Sequence, residues 1–271
     1  LPRNAGGYGS YNPSWDLLAS YLCTDGLPID ESPLFDPRKP FKNRDPRCTM
    51  TIVEFNTEHC GFEYDPSPAA KTVMNYTTGK TQSNQDTRIV NQYSSYTGLL
   101  WKKGIDATWT VDQKVEQDYI IMRYADVLLI YAEALNEAKK EEGTVPEDCY
   151  TYIDKVRARA GLKGVKDSWR LYANDANKPN TYEGFQTIVR KERMIELALE
   201  GQRFWDIRRW NLANQYFNKS LQGWDINQSE TNEYYKLNTY FIRNYEDREN
   251  LWPLKDYDCI VNPKLVQNPG W

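Results

Sequence analysis

Glu192, Glu196 and Glu200 recur every four residues in the stretch ERMIELALEGQRFWDIRRW (192–210), with Asp206 close behind. Carboxylates at that density raise glycoside hydrolysis, which needs two of them flanking one bond, about 5–9.5 Å apart. The spacing denies that geometry. On a helix the three glutamates share one face, where like charges repel, and they cannot straddle a sugar. The same stretch carries Arg193, Arg203, Arg208 and Arg209, with Arg190 just upstream. Ion pairs joining adjacent helices are therefore the expectation, a device that sets register more reliably than it adds stability. No catalytic residue is assigned.

Other chemistries fall away for want of residue types. His59 is the only histidine, so neither a Ser-His-Asp relay nor a multi-histidine metal site can be built. Five cysteines (Cys23, Cys48, Cys60, Cys149, Cys259) are odd in number and never form C-x-x-C, so no metal or cofactor is expected. Cys48 and Cys60 can pair if a hairpin lies between them; buried free thiols are the default. Lys plus Arg total 34 against 38 Asp plus Glu, a net charge of −4, which argues against a nucleic-acid partner.

Aromatic residues remain: 20 Tyr, 9 Trp and 8 Phe, and the excess of Tyr favours half-wet surfaces such as carbohydrate or protein interfaces. A pyranose presents an apolar face of C–H groups and a rim of hydroxyls. Gripping it without cleaving it needs exposed flat rings beside Asn, Gln, Asp or Arg. Two stretches qualify. NQYSSYTGLLWKKGIDATW (91–109) holds Tyr93, Tyr96, Trp101 and Trp109 beside Asn91 and Gln92; GGYGSYNPSW (6–15) holds Tyr8, Tyr11 and Trp15. Trp109, in a loop between threonines, leads the candidates. Trp101 falls in an expected strand and competes with a core role, Trp15 is expected to pack the first helix, and Trp205 and Trp210 to pack between helices.

The elements that must position these rings fall into three zones, and the 40% hydrophobic, 27% charged composition is that of a soluble globular chain. The longest apolar run, VLLIYA (127–132), is far short of a membrane span. Residues 1–118 are loop-rich. Within them a helix is expected over 12–22 with Pro13 in its first turn, strands over 48–55 and 97–105, and a polar loop over 75–96. Residues 119–213 are helical. A first helix over 118–140 puts Ile120, Tyr124, Val127, Leu128, Tyr131 and Leu135 on one stripe. Ile121, Ala125, Leu129 and Ala132 cover most of the rest, which predicts burial between neighbours, with Arg123, Asp126, Glu133 and Glu137 as its polar edge. A second helix starts at Pro146 after a Thr144 cap, buries Cys149, Ile153, Val156 and Ala160, and stops at Gly161. A third runs over 182–200 and a fourth through Trp210. Residues 214–271 return to loops. The fold class is mainly α, with loop-rich and short-strand excursions.

Several stretches together resemble the SusD/RagB family: RYADVLLIYAEALNEA (123–138), IDKVRARAGL (153–162), the charged stretch 192–210, and the closing LWPL (251–254) and NPKLVQNPGW (262–271). CTDGLPI (23–29) and PFKNRDPR (40–47) match in the same order. The resemblance spans nearly the whole chain and looks like the family's C-terminal half, with the opening LPRNAGG as a cut within a longer protein. It implies helix pairs similar to tetratricopeptide repeats, and a surface-exposed outer-membrane lipoprotein of Bacteroidetes whose lipid anchor lies in the N-terminal part. The implied function is non-catalytic capture of glycans or peptides for import through a SusC-type TonB-dependent transporter. The family's ligand loops differ between members, so the ring candidates rest on physics alone. The alternatives are a helical-repeat adaptor for a peptide or protein, and a glycoside hydrolase.

Overall fold

A computed structural model describes residues 1–109, 118, 120–224 and 236–271. The loop-rich opening contains two short helices, α1 (Trp15–Ser20) and α2 (Pro46–Thr51), and an antiparallel meander β1 (Thr57–His59), β2 (Phe62–Tyr64), β3 (Thr72–Asn75) and β4 (Lys80–Ser83). Five helices follow: α3 (Tyr124–Ala138), α4 (Glu147–Arg159), α5 (Val165–Tyr172), α6 (Tyr182–Glu196) and α7 (Gln202–Arg209). The closing part holds α8 (Ala213–Phe217), the antiparallel pair β5 (Leu221–Trp224) and β6 (Leu237–Phe241), and α9 (Asp256–Val261). The protein is mainly α with small sheets, as expected.

Several local expectations need correction. Stretch 48–55 is not a strand. Asp45 caps a helix, accepting from the Arg47 N–H at 2.9 Å, and Pro46 fills the first helical position, so α2 forms despite its threonines. Only Ile52 keeps a strand-like bridge, to Trp101, with the Val53 N–H donating to Leu100 O at 2.9 Å. Stretch 97–105 is likewise reduced to that bridge. The polar loop over 75–96 contains β4, paired to β3 with Val73 opposite Gln82. β4 is mostly exposed, with Lys80, Thr81 and Ser83 all in solvent, so it carries no alternation to read. In α1, Ser14 caps and Pro13 precedes the helix. Pro146 takes the capping position of α4 where Thr144 was expected, but the α4 core face and the left-handed Gly161 (φ 76°) are as read. The closing part is not all loop. All five cysteines are free, and Cys48 and Cys60 lie on α2 and the β1–β2 turn.

Two apolar clusters tie the helices together. One joins α3 to α6 through Leu129, Ala132, Cys149, Ile153, Trp169, Phe185 and Val189. The other gathers Leu18, Tyr21, Cys48, Ile52, Leu99, Ile195 and Trp224, uniting the loop-rich opening with the C-terminal turn of α6 and with β5. Each fully buried large side chain contributes roughly 1.5–3 kcal/mol.

Helix α3 is turned over relative to its sequence pattern. Leu128, Leu129 and Ala132 are buried, but Tyr124 is 71% exposed, and Val127, Ile130 and Tyr131 are 44–46% exposed. Half of the expected polar edge lies inside instead: Asp126 and Glu133 are buried, as is Asn136 beside them, while Arg123 is half-buried and Glu137 exposed. The cause is charge. Arg193 of α6 is buried, and an unpaired buried guanidinium costs several kcal/mol, so α3 presents its carboxylates to it. The helix expected from 118 starts only at Tyr124: Arg123 is extended, and Ile120 and Ile121, expected on its packed faces, lie outside it and are exposed, while Tyr119 lies outside the described residues.

Candidate functional site

The charged stretch forms the inner seam. Glu192 is held by Arg47 at 2.7 Å and Arg157 at 3.3 Å. Glu196 is held by Arg47 at 3.0 Å, Arg123 at 2.8 Å and Arg159 at 2.7 Å. Helix α6 ends at Glu196, short of the expected residue 200, so Glu200 sits in the turn beyond and pairs with Arg123 (2.7 Å) and Lys103 (2.5 Å). Arg193 bonds Asp126 (2.8 Å) and Asp206 (2.9 Å), and Arg209 bonds Glu133 (2.5 Å) and Asp206 (2.9 Å). Burial alone would raise the Glu196 carboxyl, yet Arg123 and Arg47 hold it below the usual carboxylate range. That is the wrong direction for a general acid, which must keep its proton near neutral pH. The ion-pair expectation is borne out.

The two aromatic stretches, chosen separately in the sequence, meet in space. Tyr8 and Tyr93 lie edge to face, centroids 5.8 Å apart, and the Arg3 guanidinium sits 5.0 Å over the first ring and 5.8 Å over the second. Both rings are about half exposed or more (Tyr8 62%, Tyr93 48%). Tyr96, also exposed, carries Arg88 over its ring at 3.7 Å, and Arg88 in turn donates to Gln92 O and to Ser94 O. Tyr11 projects most freely, at 79% exposure.

The approach of the two stretches is built from the backbone up. Gly9 has φ 54°, and a Cβ there would lie 2.6 Å from Tyr93 O, so no larger residue lets the loops touch this way. Asp86 clamps the opening loop, accepting from the N–H groups of Arg3 (2.5 Å) and Asn4 (3.4 Å), while Asn4 accepts from the Gln85 N–H at 2.7 Å. Burial pushes the Asp86 carboxyl up to about 6, and the donated N–H bonds limit the rise. Thr97 Oγ1 donates to Pro13 O at 2.7 Å and closes the arrangement beside β5. Asp86 was missed in the sequence, where nothing distinguishes it from any loop aspartate.

The other candidates stand elsewhere. Asn91 uses its amide to hold the loop, accepting from the Tyr93 N–H (2.9 Å) and donating to Gln85 (3.2 Å). Trp101 is half buried on the wall of a separate cleft of about 570 Å³ shared with Arg47, Lys103, Arg123, Glu196 and Glu200. Trp109 is half buried in a turn, its N–H donating to Asp106 O at 3.0 Å, and its indole Nε1 is buried without an acceptor among the described residues. Trp15 packs against Trp224 at 5.5 Å, as expected. Trp210 is half buried and donates to Glu133 at 2.6 Å, whereas Trp205 is 65% exposed and does not pack between helices.

Taken together these features define a helical scaffold locked by internal charge, with exposed rings on its loops. The chain belongs to the SusD family, whose sequence profile it matches over residues 1–271. SusD-like protein P2 of Formosa agariphila is 30% identical over 183 residues, 67% of this chain and 30% of that protein. A SusD-like carbohydrate binding protein of Bacteroides fragilis, known from its crystal structure, is 28% identical with a TM-score of 0.70, over 98% of this chain and 50% of its own. A second SusD-like protein of Bacteroides fragilis, at 25% identity, gives the same TM-score over 98% and 48%. The chain thus spans about half the length of these solved relatives.

Proposed function

We propose that this chain captures an oligo- or polysaccharide without cleaving it, at the cell surface, for import through a SusC-type TonB-dependent transporter of the outer membrane. In the full-length protein a lipid anchor would tether it there. The observation that carries the reading is the meeting of Tyr8 and Tyr93 under Arg3, with Tyr96 on the same loop: exposed rings with polar neighbours, suited to the apolar face and hydroxyl rim of a sugar. The carbohydrate-binding relative from Bacteroides fragilis supports the ligand class. The paired state of Glu192 and Glu196 supports capture over hydrolysis. Trp109 and Trp101 stand as secondary candidates.

Affinity electrophoresis through gels cast with a panel of plant, algal and host polysaccharides tests the reading. At least one gel should retard the wild-type chain, and Tyr93→Ala should restore its free mobility. Retardation that persists in Tyr93→Ala and Tyr8→Ala, and disappears in Trp109→Ala, would move the site to Trp109. A panel with no retardation, repeated on the full-length protein, would refute glycan capture.

A further inference from the structure

A second cleft, about 720 Å³, opens between α1, α6, α7, α8 and β5, apart from the tyrosine loops. Its cations are Arg190 and Lys191 of α6, Arg203 of α7, Lys219 and Arg243; among the described residues, the carboxylates facing them are those of Asp16 and Asp30. Five positive groups against two negative ones contrast with the inner seam, where guanidinia and carboxylates pair off. Among the described residues, none of these five cations forms a salt bridge.

Rings and backbone hold four of them instead. Arg190 lies 5.0 Å over Trp210, and its Nε is buried without an acceptor. Arg203 lies 4.7 Å over Tyr216 and 5.6 Å over Trp210, and Lys219 is 5.4 Å over Tyr216. Arg243 spends donors on Lys219 O (2.7 Å) and Tyr216 O (2.9 Å). Stacking fixes the planes of two guanidinia before any ligand arrives, and this preorganisation suits forked binding of an oxyanion. Burial draws both Arg203 and Lys191 below their usual ranges, although Asp30 partly restores Lys191, so a bound anion would relieve an existing strain. Met194, Ile207, Leu212 and Phe217 line the remaining wall, against which the C–H face of a sugar ring can lie.

We propose that this cleft is an anion site that takes the sulfate ester or carboxylate of an acidic saccharide. The saccharide part rests on the glycan reading above; the anion part does not. Titration calorimetry at low salt with three oligosaccharides of matched length, namely sulfated dextran, oligogalacturonate and neutral dextran, tests it. One charged ligand should bind about tenfold more tightly than the neutral one. The winner tells sulfate from carboxylate. Arg190→Gln/Arg203→Gln should abolish that preference. Since both arginines stack on rings, Lys191→Gln/Lys219→Gln, checked for an unchanged thermal midpoint, should reduce it as well. Both charged ligands binding no better than neutral dextran, or a preference surviving both double variants, would overturn the inference. If all three ligands are silent, the glycan reading is decided by the gel panel above. Sodium sulfate then decides the anion site: beyond the general rise that sulfate gives any folded chain, it should raise the thermal midpoint of the wild type more than that of Arg190→Gln/Arg203→Gln, and equal effects on both would reject it.

Discussion

Glu196 faces three guanidinia, those of Arg47, Arg123 and Arg159, and is itself buried. Replacing it with Gln leaves these cations under-neutralised in a low-dielectric setting, and breaking such a buried pair costs about 3–5 kcal/mol. Urea unfolding of Glu196→Gln should show that loss; a change below about 1 kcal/mol would mean the pairs are solvent-screened. Two buried groups of the loop-rich opening titrate in opposition. Asp86, raised to about 6, contributes stability that is present below its ordinary value and lost as pH rises through about 6. His59, lowered by burial to about 4, contributes stability that is present above its ordinary range and lost as pH falls toward 4. Between about pH 7 and pH 4, Asp86→Asn should therefore lose thermal stability more steeply than wild type, and His59→Gln less steeply. Parallel curves for all three proteins would contradict both assignments. At this scale the sequence was informative about types: the rings and the seam charges are visible by composition and spacing. Which loop aspartate is buried beneath the rings is not, because burial is set by chain segments about eighty residues apart.

Helix α3 is the element where pattern and packing part company. Its apolar row reads as a core face, but Arg193 and Arg209 demand carboxylates, and Asp126 and Glu133 answer from the polar row. Tyr131→Lys should then cost no more than about 1.5 kcal/mol, the edge contact its ring makes with Tyr152. Asp126→Ala should lower stability by about 3–5 kcal/mol. The reverse ranking would restore the sequence reading of a buried Tyr124–Val127–Tyr131 face. Helix α4 was legible because local signals agree: Pro146, the acidic first turn, the buried Cys149–Ile153–Val156 row and Gly161 all point the same way. Helix α2 was misread because the β-branched run Thr51-Ile52-Val53 outweighed the Asp45–Pro46 start signal. At the loops, Gly9→Ala adds a Cβ 2.6 Å from Tyr93 O at a positive φ, roughly 1–3 kcal/mol of strain. It should weaken polysaccharide retardation while Tyr8 and Tyr93 are both still present. Unchanged retardation would show that the rings act independently.

Across the whole molecule, charge does two jobs in two places. In the seam, opposite charges cancel and join α3, α6, α7 and the loop-rich opening; in the α1–α6–α8 cleft a positive excess is left over. The family was readable from ordered motifs, since those encode the scaffold. The proposed ligand surface was readable only as two lists of aromatic residues, because their meeting depends on Gly9, Asp86 and Thr97 rather than on any periodic signal. Charges build the frame, and the exposed rings are proposed to hold the sugar. The most direct test crosses Tyr8→Ala/Tyr93→Ala with Glu196→Gln, measuring polysaccharide retardation, reducing ends and thermal midpoint for each on the best-retained glycan. The account predicts that the tyrosine pair loses retardation at an unchanged midpoint, that Glu196→Gln loses midpoint yet keeps retardation while folded, and that no protein liberates reducing ends. Reducing ends that accumulate with wild type and vanish with Glu196→Gln, with retardation indifferent to the tyrosines, would contradict it.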